Sequence, residues 1–270
     1  MPLRVVRLNP ETPMTNEALP ADALAARLVD ARRHGAGRFE AALAPADAAA
    51  AMRVQDDVAR RLGAQVGGWK VGFGPDGVPF AGPLYQAGIV RSPATRPLAP
   101  GDHVIVEIEL AFLLARDLPS RVTSRDEIVA AIDSALVGIE LIRGRLGEPP
   151  AVPFLAFLAD NAGNDGYVIG GSTRDFRNLD LTRLRCRLSV DGRMVHDKVG
   201  GHPQGDPIEP IRAWLARADD TLGGLRAGHV VTTGSFTTPF RAEDAARFEA
   251  SMAGIGEVRL DLASSAARVG

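Results

Sequence analysis

The segment 104–114, VIVEIELAFLL, reads as a buried strand, yet it carries two glutamates, Glu107 and Glu109. Residues two apart in a strand share a face, so these carboxylates stand side by side while Val106, Ile108 and Leu110 line the other face. Two carboxylates in an apolar run repel each other and are costly to desolvate, so such a pair shares a proton or binds a cation. A third acid, Glu140, lies in VGIELI, apolar on both sides, and poses the same burial problem. An all-oxygen donor set with no histidine or thiol nearby in sequence suits a hard cation such as Mg²⁺ or Mn²⁺. The five histidines, at 34, 103, 196, 202 and 229, have no zinc-type spacing. For any one of these glutamates an arginine partner is the simpler explanation. For three in apolar contexts it is the weaker one.

A lysine belongs with them. Of the 31 basic residues only Lys70 and Lys198 are lysine, and the rest are arginine. Lys70 sits in the apolar, glycine-rich GGWKVGFG, where a lysine can give up its proton and fit a small site as arginine cannot. A salt bridge to the carboxylates and a part in proton transfer are both open to it. Lys198, in the polar HDKVGG, reads as a surface residue.

The elements that must position these groups follow from the hydrophobic period. Residues 20–63 form two helical stretches, PADALAARLVDARRHG and APADAAAAMRVQDDVARRLG, each closing at a glycine. From about 66 to 115 the pattern turns to short apolar runs broken by Gly and Pro, which is strand and turn territory. SRDEIVAAIDSALVG opens with a serine followed three residues later by Glu127, a capping box for a helix leading into VGIELI. FLADNAGNDGYVIGG reads as a loop, being rich in Asn, Asp and Gly. LRCRLSVDGRMVHD is a hairpin turning at Asp191-Gly192, with Cys186 on its apolar face. DPIEPIRAWLARADD is a further amphipathic helix, and LRAGHVVTTGSF and GIGEVRLDL are strands. This order predicts an α+β fold.

Composition sets the class. The hydrophobic share of 46% and charged share of 24% are ordinary for a globular chain of 270 residues. A net charge of -2 gives no electrostatic case for nucleic acid or an anionic membrane. No apolar run reaches the roughly 18 residues of a membrane span, and MPLRVVRLNPETPM lacks the apolar core of a secretory signal. One cysteine allows no internal disulfide and fits a reducing compartment. The expectation is a cytoplasmic protein.

In order along the chain, GGWKVGF, VEIELAFLL, GIELIRGR, FLADNAGNDGYVIGG and AGHVVTTGS resemble the motifs of the 2-keto-4-pentenoate hydratase and 4-oxalocrotonate decarboxylase group of the fumarylacetoacetate hydrolase superfamily. The resemblance spans about residues 20–262. It implies a mixed β-roll or barrel core and one catalytic domain over 1–270, with an N-terminal arm (1–19), a helical layer (20–63) and a β-rich core (64–270). It also implies a homo-oligomer and a 2-oxo acid substrate from aromatic-compound degradation. By the resemblance, Glu107, Glu109 and Glu140 match metal ligands for Mg²⁺ or Mn²⁺, Lys70 matches a catalytic lysine, and Arg145, Asp160 and Asn161 match substrate-binding positions. Three positions depart from the pattern: Phe80 and His229 stand where acids are expected, and Gly163 where a serine is. The implied activity is hydration of a 2-hydroxy-2,4-dienoate. Decarboxylation of a 2-oxo diacid, carbon–carbon hydrolysis and a non-catalytic metal-binding role are the alternatives.

Overall fold

The computed structural model describes residues 20–35, 40, 43–217 and 221–264; the N-terminal arm expected at 1–19 lies outside them. Two helices lead, α1 (Pro20–His34) and α2 (Ala48–Leu62). Asp47 caps α2 by accepting from Ala50 N, and Gly63 closes it in the left-handed conformation.

The strands follow: β1 (Val66–Phe73), β2 (Pro79–Tyr85), β3 (Ile89–Arg91), β4 (Ala94–Leu98) and β5 (Val104–Leu114). Helix α3 (Arg125–Ala131), capped by Ser124, hands over to β6 (Ile132–Ile142). Then come α4 (Phe154–Ala159), β7 (Asn164–Thr173), the hairpin β8 (Arg185–Val190) and β9 (Arg193–Val199), and α5 (Glu209–Arg217). The chain closes with β10 (Val230–Ser235), β11 (Phe240–Ala242), β12 (Ala246–Met252) and β13 (Gly256–Ser264).

These strands make two sheets, one ordered β2-β1-β10-β5-β6-β7-β3 with β11 also on β5, the other β4-β13-β12-β8-β9. The expected α+β class holds. The first sheet curls until β2 meets β7, forming an open barrel. Its outer face carries Val106, Ile108 and Leu110 into the main core, with Cys186, Leu188, Phe248 and Leu260 of the second sheet. At one end the barrel interior is plugged by Leu84, Ala111, Leu136, Tyr167 and Val230.

Two expectations change. The helix foreseen through 124–138 stops at Ala131, and Ile132 already begins β6, which pairs with β5 through ten residue pairs. Local propensity in AAIDSALVG is a weak prior, and a long ladder against a buried strand outweighs it. The loop foreseen in FLADNAGNDGYVIGG is the end of α4, a tight turn, and then the strand β7. Glycine serves packing there: a Cβ on Gly170 would meet Glu257 O of β13 at 2.6 Å.

Helices α1 and α2 pack with α4, Phe80 and Leu146 in a second apolar cluster. Buried Gln55 of α2 donates to the carbonyls of Ala81 in β2 (3.2 Å) and Leu158 in α4 (2.6 Å). The layer is thus tied to β2 and to α4, the helix that leads into the Asn161–Gly163 turn. Gln55→Leu should lower the unfolding free energy by about 1–3 kcal/mol in urea, within a single transition. Separate, earlier melting of a helical unit would contradict a layer continuous with the β core.

Candidate metal centre and its lysine

Each acid is placed by strand register. Glu107 faces Glu140 directly across the β5–β6 ladder, and Glu109 faces Gly138 one step along. All three point into the barrel, and one carboxylate oxygen from each lies within 4.8 Å of the others. Glu109 and Glu140 are buried, whereas Glu107 is partly exposed at the open end. The spacing that put Glu107 and Glu109 on one face in sequence does so in the fold.

Lys70 comes from β1, level with Thr232 of parallel β10 and Gly82 of β2. Its Nζ lies 2.9 Å from Glu140 Oε1 and donates to Ala162 O at 3.3 Å. Asn164 Nδ2 donates to the same Glu140 Oε1 at 2.9 Å. Glu140 Oε2 is buried with no hydrogen-bond partner. A buried carboxylate oxygen without a donor is costly, and here it lies within a cluster of three acids.

The electrostatics are those of an incomplete site. Burial pushes the Glu107 carboxyl up to about 7, with Lys70 pulling it down and Glu140 pushing it further up. Burial, Glu140 and Glu107 drive Glu109 well above the usual carboxylate range. Burial also works against the Lys70 charge, but Glu140, Glu107 and Glu109 outweigh it and hold its ammonium above the ordinary lysine value. Ionising all three carboxylates against one ammonium would leave the cluster two positive charges short, which a divalent cation would supply. The donor set is all oxygen, and the orphaned Glu140 Oε2 is free to coordinate. These residues fit such an ion.

Glu109 is held from behind. Thr232 Oγ1 donates to Glu109 Oε2, and Tyr167 OH donates to Thr232 Oγ1 at 3.3 Å. Neither Thr232 nor Tyr167 stands out in the sequence, because each is an ordinary strand residue until β7 and β10 are brought to opposite walls of one barrel. Asn164 escaped notice for the same reason.

The other expected residues lie at the rim. Asp160 is taken by Arg32 of α1 (2.8 Å) and by the backbone N–H of Arg145 (2.6 Å). The buried Arg145 guanidinium donates to Arg143 O, Asn164 O and Asp165. The partners of both are one another, Arg32, Asp165 and nearby backbone carbonyls, not the three glutamates or Lys70. Asn161 and Ala162 both adopt left-handed backbone, φ 55° and 48°, a strained conformation for non-glycine residues. That turn aims Ala162 O at Lys70 and leaves Asn161 Oδ1 buried without a partner. Phe80 pairs with Gly72 on the Lys70 face of the β1–β2 ladder and packs edge-to-face on Phe154 at 5.4 Å. His229 lies at the start of β10, its Nδ1 accepting from Arg226 N.

Comparison with known proteins agrees with the fold and the motif order. Residues 83–263 match the family model for the C-terminal part of fumarylacetoacetate hydrolase. The chain is 30% identical over 214 residues to 2-keto-4-pentenoate hydratase of Paraburkholderia xenovorans, covering 76% of this chain and 78% of that protein. It is 29% identical over 252 residues to the enzyme of the same name from Paraburkholderia phymatum, covering 88% and 95%. Among solved structures, 4-oxalocrotonate decarboxylase from Pseudomonas putida G7, complexed with magnesium and adipate, superposes with a TM-score of 0.75 at 21% identity, covering 89% of this chain and 96% of that one.

One glycine makes the hydroxyl arrangement feasible. A Cβ on Gly138 would lie 2.2 Å from Tyr167 OH and 2.4 Å from its ring carbons. Gly138→Ala should therefore cost about 1–3 kcal/mol in thermal or denaturant unfolding. Because ring atoms as well as the hydroxyl are in the way, adding Tyr167→Phe should not restore stability. Full rescue by that second change would show that the ring itself is free to move.

Proposed function

The chain belongs to the fumarylacetoacetate hydrolase family, and we propose that it is a divalent-metal-dependent hydro-lyase that hydrates a 2-hydroxy-2,4-dienoate to a 4-hydroxy-2-oxo acid. The observation that carries this reading is the convergence of Glu107, Glu109 and Glu140, with Glu140 Oε2 unpartnered and Lys70 2.9 Å from the other Glu140 oxygen, Oε1. It occurs in a chain whose curated relatives are named as hydratases of such dienoates, including 2-hydroxyhexa-2,4-dienoate hydratase of Comamonas testosteroni.

Glu107, Glu109 and Glu140 would hold the ion, and Mg²⁺ is the ion of this reading, since carboxylate oxygens favour a small hard cation. When bound, it supplies a Lewis acid for the carboxylate and 2-oxygen of the substrate. The reaction itself is redox-neutral. The 2-hydroxyl loses its proton as C5 gains one, then water oxygen bonds to C4 and a proton arrives at C3.

Those proton movements need a group inside the barrel that carries a proton and faces the ligand. Lys70 is that group: Glu140 and Ala162 O occupy two of its three N–H directions, leaving the third for substrate. Arg145 and Asp160 serve the site by fixing the Asn161–Gly163 turn, and Asn161 Oδ1 is left as an acceptor for the ligand. A homo-oligomeric, cytoplasmic enzyme completes the proposal, consistent with Cys186 as the single, buried thiol.

Two measurements bear on it. In calorimetric titration Glu109→Gln should lose at least tenfold in Mg²⁺ affinity; equal affinity in the two proteins removes the site assignment. Lys70→Arg keeps the charge but cannot titrate near neutrality, so it should bind Mg²⁺ within a few-fold of wild type yet lose about 10² to 10⁴ in turnover. The assay follows the loss of dienoate absorbance and identifies the 4-hydroxy-2-oxo acid. Near-wild-type turnover would take Lys70 out of the mechanism, and CO₂ release from a 2-oxo diacid without hydration would reassign the enzyme as a decarboxylase.

A further inference from the structure

At the closed end of the barrel, Glu109 is 2% exposed and Thr232 is fully buried. The surroundings are apolar: Leu84, Ala111, Leu136 and Val230 plug this end around Tyr167. Solvent therefore does not supply donors to Glu109 from behind. Its Oε2 receives the Thr232 hydroxyl, whose oxygen in turn accepts from Tyr167 OH at 3.3 Å. Each hydroxyl has a single hydrogen, so a chain running Tyr167 to Thr232 to Glu109 has one direction. It uses the Thr232 hydrogen on Oε2 and leaves the other Glu109 oxygen for the cluster it shares with Glu107 and Glu140.

From this geometry we infer that Thr232 and Tyr167 are positioning residues that lock the rotation of the Glu109 carboxylate and so make the three-glutamate site selective for a small, strictly octahedral cation. The inference rests on the metal-binding reading of those glutamates. A carboxylate fixed by a directed donor keeps one oxygen at a set place, which suits Mg²⁺ with its near-ideal octahedral demand. Ca²⁺ accepts variable coordination and longer distances, so it tolerates a carboxylate that swings. Outer-shell partners of metal ligands typically govern affinity by 10–100-fold. The position is also built for a hydroxyl: Thr232 lies level with Lys70 in the parallel β1–β10 pair, so the two reach the cluster from adjoining strands.

The test is calorimetric titration of Mg²⁺ and, separately, of Ca²⁺ into wild type, Thr232→Val, Thr232→Ser and Tyr167→Phe, with thermal unfolding as a check on folding. Thr232→Val should lose about 10–100-fold in Mg²⁺ affinity and distinctly less in Ca²⁺ affinity, so the Mg²⁺/Ca²⁺ ratio falls. Thr232→Ser, which keeps the hydroxyl, should restore the ratio to within about threefold of wild type. Tyr167→Phe should shift it in the same direction as valine, by less. Equal losses for both ions, or no loss in a folded Thr232→Val or Tyr167→Phe protein, would overturn the inference while leaving the metal site standing. If wild type binds neither ion, the three-glutamate reading itself fails, and this inference with it.

Discussion

The rest of the structure turns on the enforced closeness of three carboxylates inside a protein. Two unit charges about 5 Å apart repel by on the order of 3 kcal/mol at an effective dielectric of 20. One lysine cannot offset three such pairs. The fold accepts this cost by gathering donors on Glu140 Oε1 from Lys70 and Asn164, and on Glu109 Oε2 from Thr232. It leaves Glu140 Oε2 with none. That uneven distribution is the feature on which the metal-binding reading rests.

The contrast is visible a short way along the chain. Asp160 is also buried and charged, but Arg32 and the backbone N–H of Arg145 satisfy both of its oxygens. It directly precedes the left-handed turn whose Ala162 carbonyl reaches Lys70. Gln55 ties the helical layer to the same region through Ala81 and Leu158. The helices supply no carboxylate to the cluster. They hold the wall against which Lys70 is set.

The three departures from the family pattern separate in space. Phe80 lies two residues from Gly82 on the Lys70 face, packed on Phe154, so an apolar ring stands where an acid was expected beside the lysine. At Gly163 the hydroxyl is missing, but the next residue, Asn164, brings an amide donor to Glu140. His229 sits just before β10, engaged with the Arg226 backbone. The three-carboxylate cluster thus keeps its acids, and the departure that stands beside Lys70 is Phe80.

Much of this was legible in sequence because it depends on short-range rules. Period-2 alternation put Glu107 and Glu109 on one face and three aliphatic residues on the other, and that is how β5 is buried. The scarcity of lysine singled out Lys70, and helix caps and the Asp191-Gly192 turn fixed several element ends. Where local signals conflicted with a long ladder, they misled: β6 begins five residues before VGIELI, and β7 takes up a run rich in Asn and Gly. Only the tertiary structure decided that Glu140 stands opposite Glu107, that Tyr167 and Thr232 line up behind Glu109, and that Arg145 and Asp160 bind each other. Those relations are set by strand register and barrel curvature, which join residues far apart in the chain through contacts that no local pattern encodes.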